Sequence, residues 1–233
     1  MQWFEKQVKI NGYECDLRDQ IKYSALLRQS QQISREHNEG CGFSPELHQK
    51  THTAFLISDL KAATLHPIAP CDTVTVRTRP FAPHRAVFYR RTEFWKEHLL
   101  CAWVDTNWVL VDVSDRKILR DYDPALSRLF PTEEGSAERL RMQKLPVSPA
   151  GSFFAAYSFI DQNQHLNNAE YADLVCNCTP MDRPLSALSI RYHRECRYGE
   201  SMSLFAGSEG NLWYVVGKKS ENQKCMEANL WFA

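Results

Sequence analysis

Asp161-Gln162-Asn163-Gln164-His165-Leu166-Asn167-Asn168-Ala169-Glu170-Tyr171 sets an acid, a carboxamide and an imidazole at alternate positions just ahead of a helix-like segment. No other stretch is so dense in side chains able to do catalysis. Asp161 can act as a nucleophile or as a base for water. Asn163 can hold that water or polarise a carbonyl, and His165 can shuttle a proton because its ordinary pKa lies near neutrality. Periodicity reads residues 152–161 as a strand ended by Asp161 and residues 167 to about 176 as a helix capped by Asn167 or Asn168. A helix N-terminus offers unpaired N–H groups and a positive dipole end. A thioester carbonyl placed there would have its developing oxyanion stabilised by roughly 3–4 kcal/mol per donor. Asp and Asn are also ordinary turn and cap residues. Their combination with His165 keeps a hydrolytic site open beside the ordinary turn and cap.

The elements that must position these residues follow from hydrophobic period. Residues 3–10 read as a strand, with Phe4, Val8 and Ile10 on one face, followed by the Asn11-Gly12 turn and a short extended piece over 13–17. Residues 19–38 lack Gly and Pro and carry Ile21, Ala25, Leu26 and Ile33 at helical spacing, with Asp19 or Ser24 as cap and Gly40 as stop. A short turn or helix follows from Gly42 to Leu47. The period then becomes two, predicting strands over 53–63, 73–79, 85–95 and 99–111, punctuated by Pro67, Pro70, Pro80 and Pro83. Residues 121–150, with Pro124, Pro131, Pro146 and Pro149, read as a linker holding a short helix over 137–142. The second half repeats the first: strand, helix, then strands over 185–197, 201–206, 212–218 and 224–232, with turns at 207–211 and 220–223. The expected class is α+β, a duplicated architecture of residues 1–120 and 151–233 in which each half wraps a long helix in an antiparallel sheet.

Composition bounds the function. The chain has 233 residues, 43% of them hydrophobic, and its 28 basic residues balance 28 acidic ones. That balance argues against a nucleic-acid partner. No apolar run approaches the roughly 20 residues of a membrane helix, and residues 1–15 are interspersed with Lys, Glu and Gln rather than forming a signal core. The eight cysteines form no Cys-x-x-Cys pair, and Cys176 with Cys178 lacks partners for a zinc site, so neither metal nor cofactor is expected. These features predict a cytoplasmic protein with free thiols.

The pattern Asp-x-Asn-x-His-x-Asn-Asn-x-x-Tyr at 161–171 resembles the signature of the acyl-ACP thioesterases, double hotdog enzymes that release fatty acids from acyl carrier protein. Tyr192-His193-Arg194-Glu195-Cys196 resembles that family's Tyr-Arg-Arg-Glu-Cys block, with His193 where the plant-type pattern has Arg. Weaker likenesses occur at 42–47, 55–60, 72–74 and at Trp108 to Asp112 followed by Arg116 and Arg120. The resemblance implies a tandem hotdog with a catalytic set of Asp161, Asn163, His165, Glu195 and Cys196. It also implies a carrier protein bearing a phosphopantetheine-linked acyl chain as partner, an N-terminal half that lines the acyl tunnel with the 21–38 helix and the 53–63 strand, and a monomer or homodimer. In a regular strand Glu195 and Cys196 would face opposite ways, so only one reaches the site. Glu195 is favoured to activate water, and Cys196 reads as a buried thiol. No Asp-x-Asn-x-His occurs near the first helix, where Asp19-Gln20-Ile21-Lys22-Tyr23 is the nearest match, so one site per chain is expected. Arg77, Arg79, Arg85, Arg90, Arg91, Arg191, Arg194 and Arg197 offer a basic rim to steer an acidic carrier. The competing readings are an acyl-CoA thioesterase and a non-catalytic acyl-binding hotdog.

Overall fold

The computed structural model describes residues 3–135, 140–180, 182–221 and 223–233. The first half runs β1 (Phe4–Lys9), α1 (Tyr23–Gly40), α2 (Pro45–Thr51), β2 (Thr53–Thr64), β3 (Thr73–Pro80), β4 (Val87–Lys96) and β5 (Leu99–Asp112). After α3 (Pro124–Ser127) come β6 (Ser148–Phe154), α4 (Glu170–Cys176), β7 (Leu185–Tyr192), β8 (Ser201–Glu209), β9 (Leu212–Ser220) and β10 (Gln223–Phe232). The strands form one ten-stranded antiparallel sheet in the order β1-β3-β4-β5-β2-β7-β10-β9-β8-β6. Reading outward from the middle, the halves have the same order. β2 and β7 meet at the centre and β1 and β6 lie at the edges. The seam pairs Leu60 with Ile190 and Ala62 with Leu188, all fully or almost fully buried, so the two halves of the sheet share one core.

α1 packs on β1, β3 and β5. Its buried stripe, Leu26, Ser30, Ile33, Ser34 and His37, keeps the three-to-four spacing of a helix face. Part of that face is polar because the sheet answers it: Ser30 donates to Thr92 Oγ1 at 3.0 Å, and His37 Nδ1 lies 3.1 Å from a guanidinium nitrogen of Arg90. Neither Asp19 nor Ser24 caps α1. The cap position is Lys22, whose side chain makes no capping bond, and Asp19 sits in the left-handed region at φ 55° inside a tight loop. The extended piece expected over 13–17 is instead a 3-10 turn at Gly12–Glu14 followed by an isolated bridge, Cys15 with Ile21.

The second half departs further from its sequence pattern. Its helix is only seven residues, not a long one, so the two halves are unequally covered. β6 starts at Ser148, inside the stretch expected as linker, and ends at Phe154, seven residues short of Asp161. The segment before β6 is not a loose tether: Phe130 stacks on Phe43 and meets Phe88 edge-on, and Leu126 is fully buried. The short helix expected over 137–142 falls partly outside the described residues, and 140–147 carry no helix. β8 runs through Gly207 to Glu209 instead of turning there. A Cβ on Gly207 would lie 1.9 Å from Pro146 O, so the missing side chain lets the incoming segment lie against the strand. All eight cysteines are free thiols. No described helix is long and apolar enough to cross a membrane.

Candidate active site

A 3-10 turn at Tyr157–Phe159 follows β6, and Ile160 bridges to Leu166. Between them the chain closes a small loop. Asp161 N–H donates to His165 O at 3.1 Å, Gln164 N–H donates to Asp161 O at 3.0 Å, and Gln164 takes a left-handed φ of 65°. The Asp161 carboxylate holds this loop from inside: Oδ1 accepts from Asn163 N–H at 2.8 Å and Oδ2 from Asn167 Nδ2 at 3.4 Å. Alternation in the sequence therefore becomes a loop that turns Asp161, Asn163 and His165 toward one groove.

A second segment meets the first. β7 ends at Tyr192, and residues 193–197 leave the strand. Leu166 N–H donates to Cys196 O at 2.7 Å and His165 bridges to Arg197, which locks the two segments together. Tyr192 donates its hydroxyl to Asn168 O at 2.8 Å and packs edge-on against Tyr171 of α4. His165 then lies between two carboxylates, with Nδ1 3.8 Å from Asp161 Oδ1 and Nε2 3.8 Å from Glu195 Oε1. Nδ1 is also 3.2 Å from Leu166 O, an atom that only accepts, so in neutral His165 the proton sits on Nδ1 and Nε2 faces Glu195 as an acceptor. Glu195 is additionally paired with Arg116 at 2.7 Å.

Several expectations are corrected here. Asp161 does not end a strand. Neither Asn167 nor Asn168 caps α4, which begins at Glu170 after Ala169; Asn167 Oδ1 instead accepts from Ala169 N–H at 2.8 Å as part of the turn. The acidic Glu170 in the first turn is paired with Arg28, so this helix start carries a carboxylate of its own. Glu195 and Cys196 lie beyond the regular strand, so strand parity does not decide between them. Burial separates them instead: Glu195 lines the groove, whereas Cys196 is fully buried and does not line it. Burial, with Cys225 nearby, pushes the Cys196 thiol up to about 11. A thiol so placed is protonated at neutral pH and is a poor nucleophile.

The groove has a volume of about 1120 Å³ and adjoins a second cavity of about 400 Å³. Gln31, Arg35, Phe55, Trp108 and Gln162 line both. Phe43, Phe81, Phe88, Tyr89 and Phe130 surround the inner chamber, and α1 contributes its polar flank, Gln31, Ser34, Arg35 and Asn38. The apolar face of α1 is spent on the core, so the expected helical liners Ile21, Ala25, Leu26 and Ile33 do not reach the chamber; β2 does contribute Phe55. The basic rim is also different. Arg77, Arg79, Arg91 and Arg191 are near Glu93, Glu133, Asp105 and Glu227, and Arg90 is buried. Of the expected set only Arg194 and Arg197 line the groove, joined by Arg28, Arg35, Arg116 and Lys219. Among the described residues no three His, Cys, Asp or Glu side chains are arranged to hold a metal ion.

Residues 1–126 match the acyl-ACP thioesterase N-terminal domain and residues 147–228 the acyl-ACP thioesterase C-terminal domain. The chain belongs to the acyl-ACP thioesterase family. It is a thioester hydrolase that acts on fatty acyl-acyl carrier protein. Three solved structures share its fold along nearly their whole length. An acyl-ACP thioesterase from Bacteroides thetaiotaomicron has a TM-score of 0.89 at 16% identity, covering 99% of this chain and 98% of that one. A 12:0-ACP thioesterase from Umbellularia californica gives 0.87 at 16%, covering 99% and 97%. A putative oleoyl thioesterase from Lactobacillus plantarum gives 0.85 at 18%, covering 99% and 96%. A search of curated proteins returned no match. For this thioesterase the residues that sequence reasoning missed are the groove liners Arg28 and Arg35, Trp108, and the aromatic chamber. Their signal was weak, because single aromatics on strands read equally as core.

Proposed function

We propose that Asp161, Asn163, His165 and Glu195 form the hydrolytic centre and that Cys196 is a packing residue. The observation that carries this is His165 held between two carboxylates at 3.8 Å each on the wall of a groove that opens into an aromatic chamber. Glu195 takes a proton from a water, and the hydroxide attacks the thioester carbon. Asn163, whose side chain is free to turn into the groove, polarises the carbonyl. Glu195 passes the water's proton to His165 Nε2, the tetrahedral intermediate collapses with breakage of the C–S bond, and His165 gives that proton to the departing pantetheine sulfur, which leaves Glu195 ionised and His165 neutral again. Asp161 orients His165 and stabilises it when protonated. Its two oxygens already accept from Asn163 and Asn167, which favours an orienting role over covalent attack.

The acyl chain lies in the inner chamber, so residues 1–120 bind it, residues 121–150 join the halves and residues 151–233 catalyse. Each half is a hotdog, and the β2–β7 seam supports a monomer in which the two halves pair as separate hotdog subunits would. The carrier's phosphopantetheine enters by the groove. Release of free fatty acid there would end chain elongation, in the cytoplasm. An acyl-CoA thioesterase is the second reading; its phosphates would call on the same groove cations, Arg28, Arg35, Arg116 and Lys219, each already paired with a carboxylate, so a comparison of the two carriers separates the readings. A panel of acyl-ACPs from short to long chain, run with matched acyl-CoAs on wild type and Asp161→Asn, tests both. Hydrolysis of ACP substrates that falls by about 10²–10⁴ in the variant supports the centre. A loss of only a few-fold overturns it, and preference for CoA at equal chain length selects the second reading.

A further inference from the structure

The loop that leaves β5 carries a side chain of the first half into the site of the second. Its turn is tight. Arg116 N–H donates to Asp112 O at 2.9 Å, Asp112 N–H donates to Lys117 O at 3.1 Å, and the Asp112 carboxylate accepts from Ser114 N–H at 2.8 Å. Within it Arg116 takes a left-handed φ of 57°, a conformation that glycine adopts without strain and arginine does not. The strained residue is the one that reaches Glu195. The guanidinium lies 2.7 Å from Glu195 Oε1, the same oxygen that is 3.8 Å from His165 Nε2. Glu195 needs such an anchor, because it lies outside β7 where no ladder of backbone hydrogen bonds sets its direction. The family match assigns no role to Arg116.

We propose that Arg116 is a positioning residue for thioester hydrolysis, holding the Glu195 carboxylate in direction and reach against His165 and the attacking water. This rests on reading Glu195 as the water-activating group. Stability is not the reason for the pair. Arg116 is 54% exposed, and ion pairs that exposed contribute little to folding. What the pair provides is geometry: a charge-assisted hydrogen bond restricts a flexible carboxylate to one arrangement, and small losses of alignment at a reacting group slow the chemical step steeply. Arg116 also lines the groove, so the competing role is direct contact with the carrier's phosphodiester. The two roles separate kinetically, since a substrate contact made equally in ground and transition states appears in KM and a positioning contact in kcat.

The test uses Arg116→Gly, Arg116→Lys, Glu195→Gln and the Arg116→Gly/Glu195→Gln double variant, assayed on acyl-ACP. Glycine fits the left-handed turn, so the melting midpoint of Arg116→Gly stays within about 3 °C of wild type. Its kcat falls about 30- to 100-fold while KM changes less than about threefold. Millimolar methylguanidinium, which can enter the open groove, restores at least about fivefold of that kcat. Arg116→Lys, which keeps the charge but not the planar fork, falls between wild type and Arg116→Gly. In the double variant methylguanidinium restores nothing, and the rate is within about twofold of Glu195→Gln alone. A loss confined to KM, a folded Arg116→Gly without rescue, or a double variant whose loss is the product of the single losses overturns the proposal. Wild-type activity in Arg116→Gly beside an inactive Glu195→Gln sinks the proposal alone. Wild-type activity in Glu195→Gln sinks the reading of Glu195 and the proposal with it.

Discussion

The loop that approaches α1 and the loop that approaches α4 are the same piece of backbone with different side chains. In the first, Asp16 N–H donates to Gln20 O at 2.7 Å, Asp19 N–H to Asp16 O at 3.1 Å and Arg18 N–H to Asp16 Oδ1 at 2.8 Å. In the second, Asp161, Gln164 and Asn163 make the corresponding bonds at 3.1, 3.0 and 2.8 Å. The match continues through the facing segments. Ile21 N–H donates to Ile68 O as Leu166 N–H does to Cys196 O. Asp72 accepts from Ala69 N–H and Lys96, as Glu200 does from Arg197 N–H and Lys219. The differences fall on the catalytic candidates: Arg18, Gln20 and Pro67 stand where Asn163, His165 and Glu195 do, and Ile68 stands where Cys196 does. Two lessons follow. An aspartate at this position is first a structural cap for the loop, since Asp16 does that work where no imidazole is present. And the position of Cys196 is a core position, filled by a fully buried isoleucine in the other half.

Removing both aspartates separately gives the largest contrast. Asp161→Ala and Asp16→Ala should each destabilise the protein by about 1 kcal/mol in denaturant titrations, because each leaves loop N–H groups without their acceptor. Only Asp161→Ala should lose about 10³-fold in kcat; equal loss in Asp16→Ala with the fold intact would break the comparison. Glu195→Gln should cost a similar factor, whereas Pro67→Ala should leave turnover within about twofold. Asn163→Ala should lose about 10²-fold if it polarises the carbonyl. Next comes Cys196. Cys196→Ala should keep activity within about threefold and lose about 1 kcal/mol of stability, and the native thiol should resist iodoacetamide at pH 8. A dead but folded Cys196→Ala would mean that the analogy with Ile68 misleads.

The smallest effects are pH windows that differ between the halves. His37, in the last turns of α1, is lowered to about 4 by burial and by neighbouring Arg90. Between pH 6.5 and 4 it is neutral when folded and charged when unfolded, so its contribution is fully present above pH 6.5 and is lost as pH falls toward 4. Glu227, in β10, is pushed up by burial but brought down to about 2 by hydrogen bonds from Lys224 and Tyr214. Its contribution is present above 4.5 and is lost as pH falls toward 2. Hydrogen exchange followed down in pH should therefore loosen the C-terminal turn of α1 before β9 and β10. His37→Gln should remove the first step and Glu227→Gln the second. Simultaneous loosening in wild type would refute the assignment.

Strand positions were legible because a half-buried sheet imposes period two: β2, β3, β4 and β5 fall within two residues of the ranges read from alternation. Irregular backbone was not. The 3-10 turns at Gly12–Glu14 and Tyr157–Phe159 leave no periodic trace, so one was read as an extended piece and the other as the end of a strand. The first-half counterpart of the Asp161 loop was sought at Asp19 and lies at Asp16, because the match is carried by backbone hydrogen bonds while Arg18 and Gln20 disguise it in sequence. The linker looked loose because prolines hide packing, yet Leu126 and Phe130 anchor it in an aromatic cluster.

The sequence alone determined the family and the element order, and it singled out the candidate hydrolytic residues. All three are written in short-range signals: alternating polar groups over 161–171, the 192–196 block, and hydrophobic period. Tertiary structure decided the β2–β7 seam, the polar flank of α1 along the chamber, the meeting of Arg116 with Glu195 and the burial of Cys196. Each of these depends on where segments far apart in the chain come together. A side chain's neighbours across such a distance are set by how the layers pack, and local spacing carries no record of them.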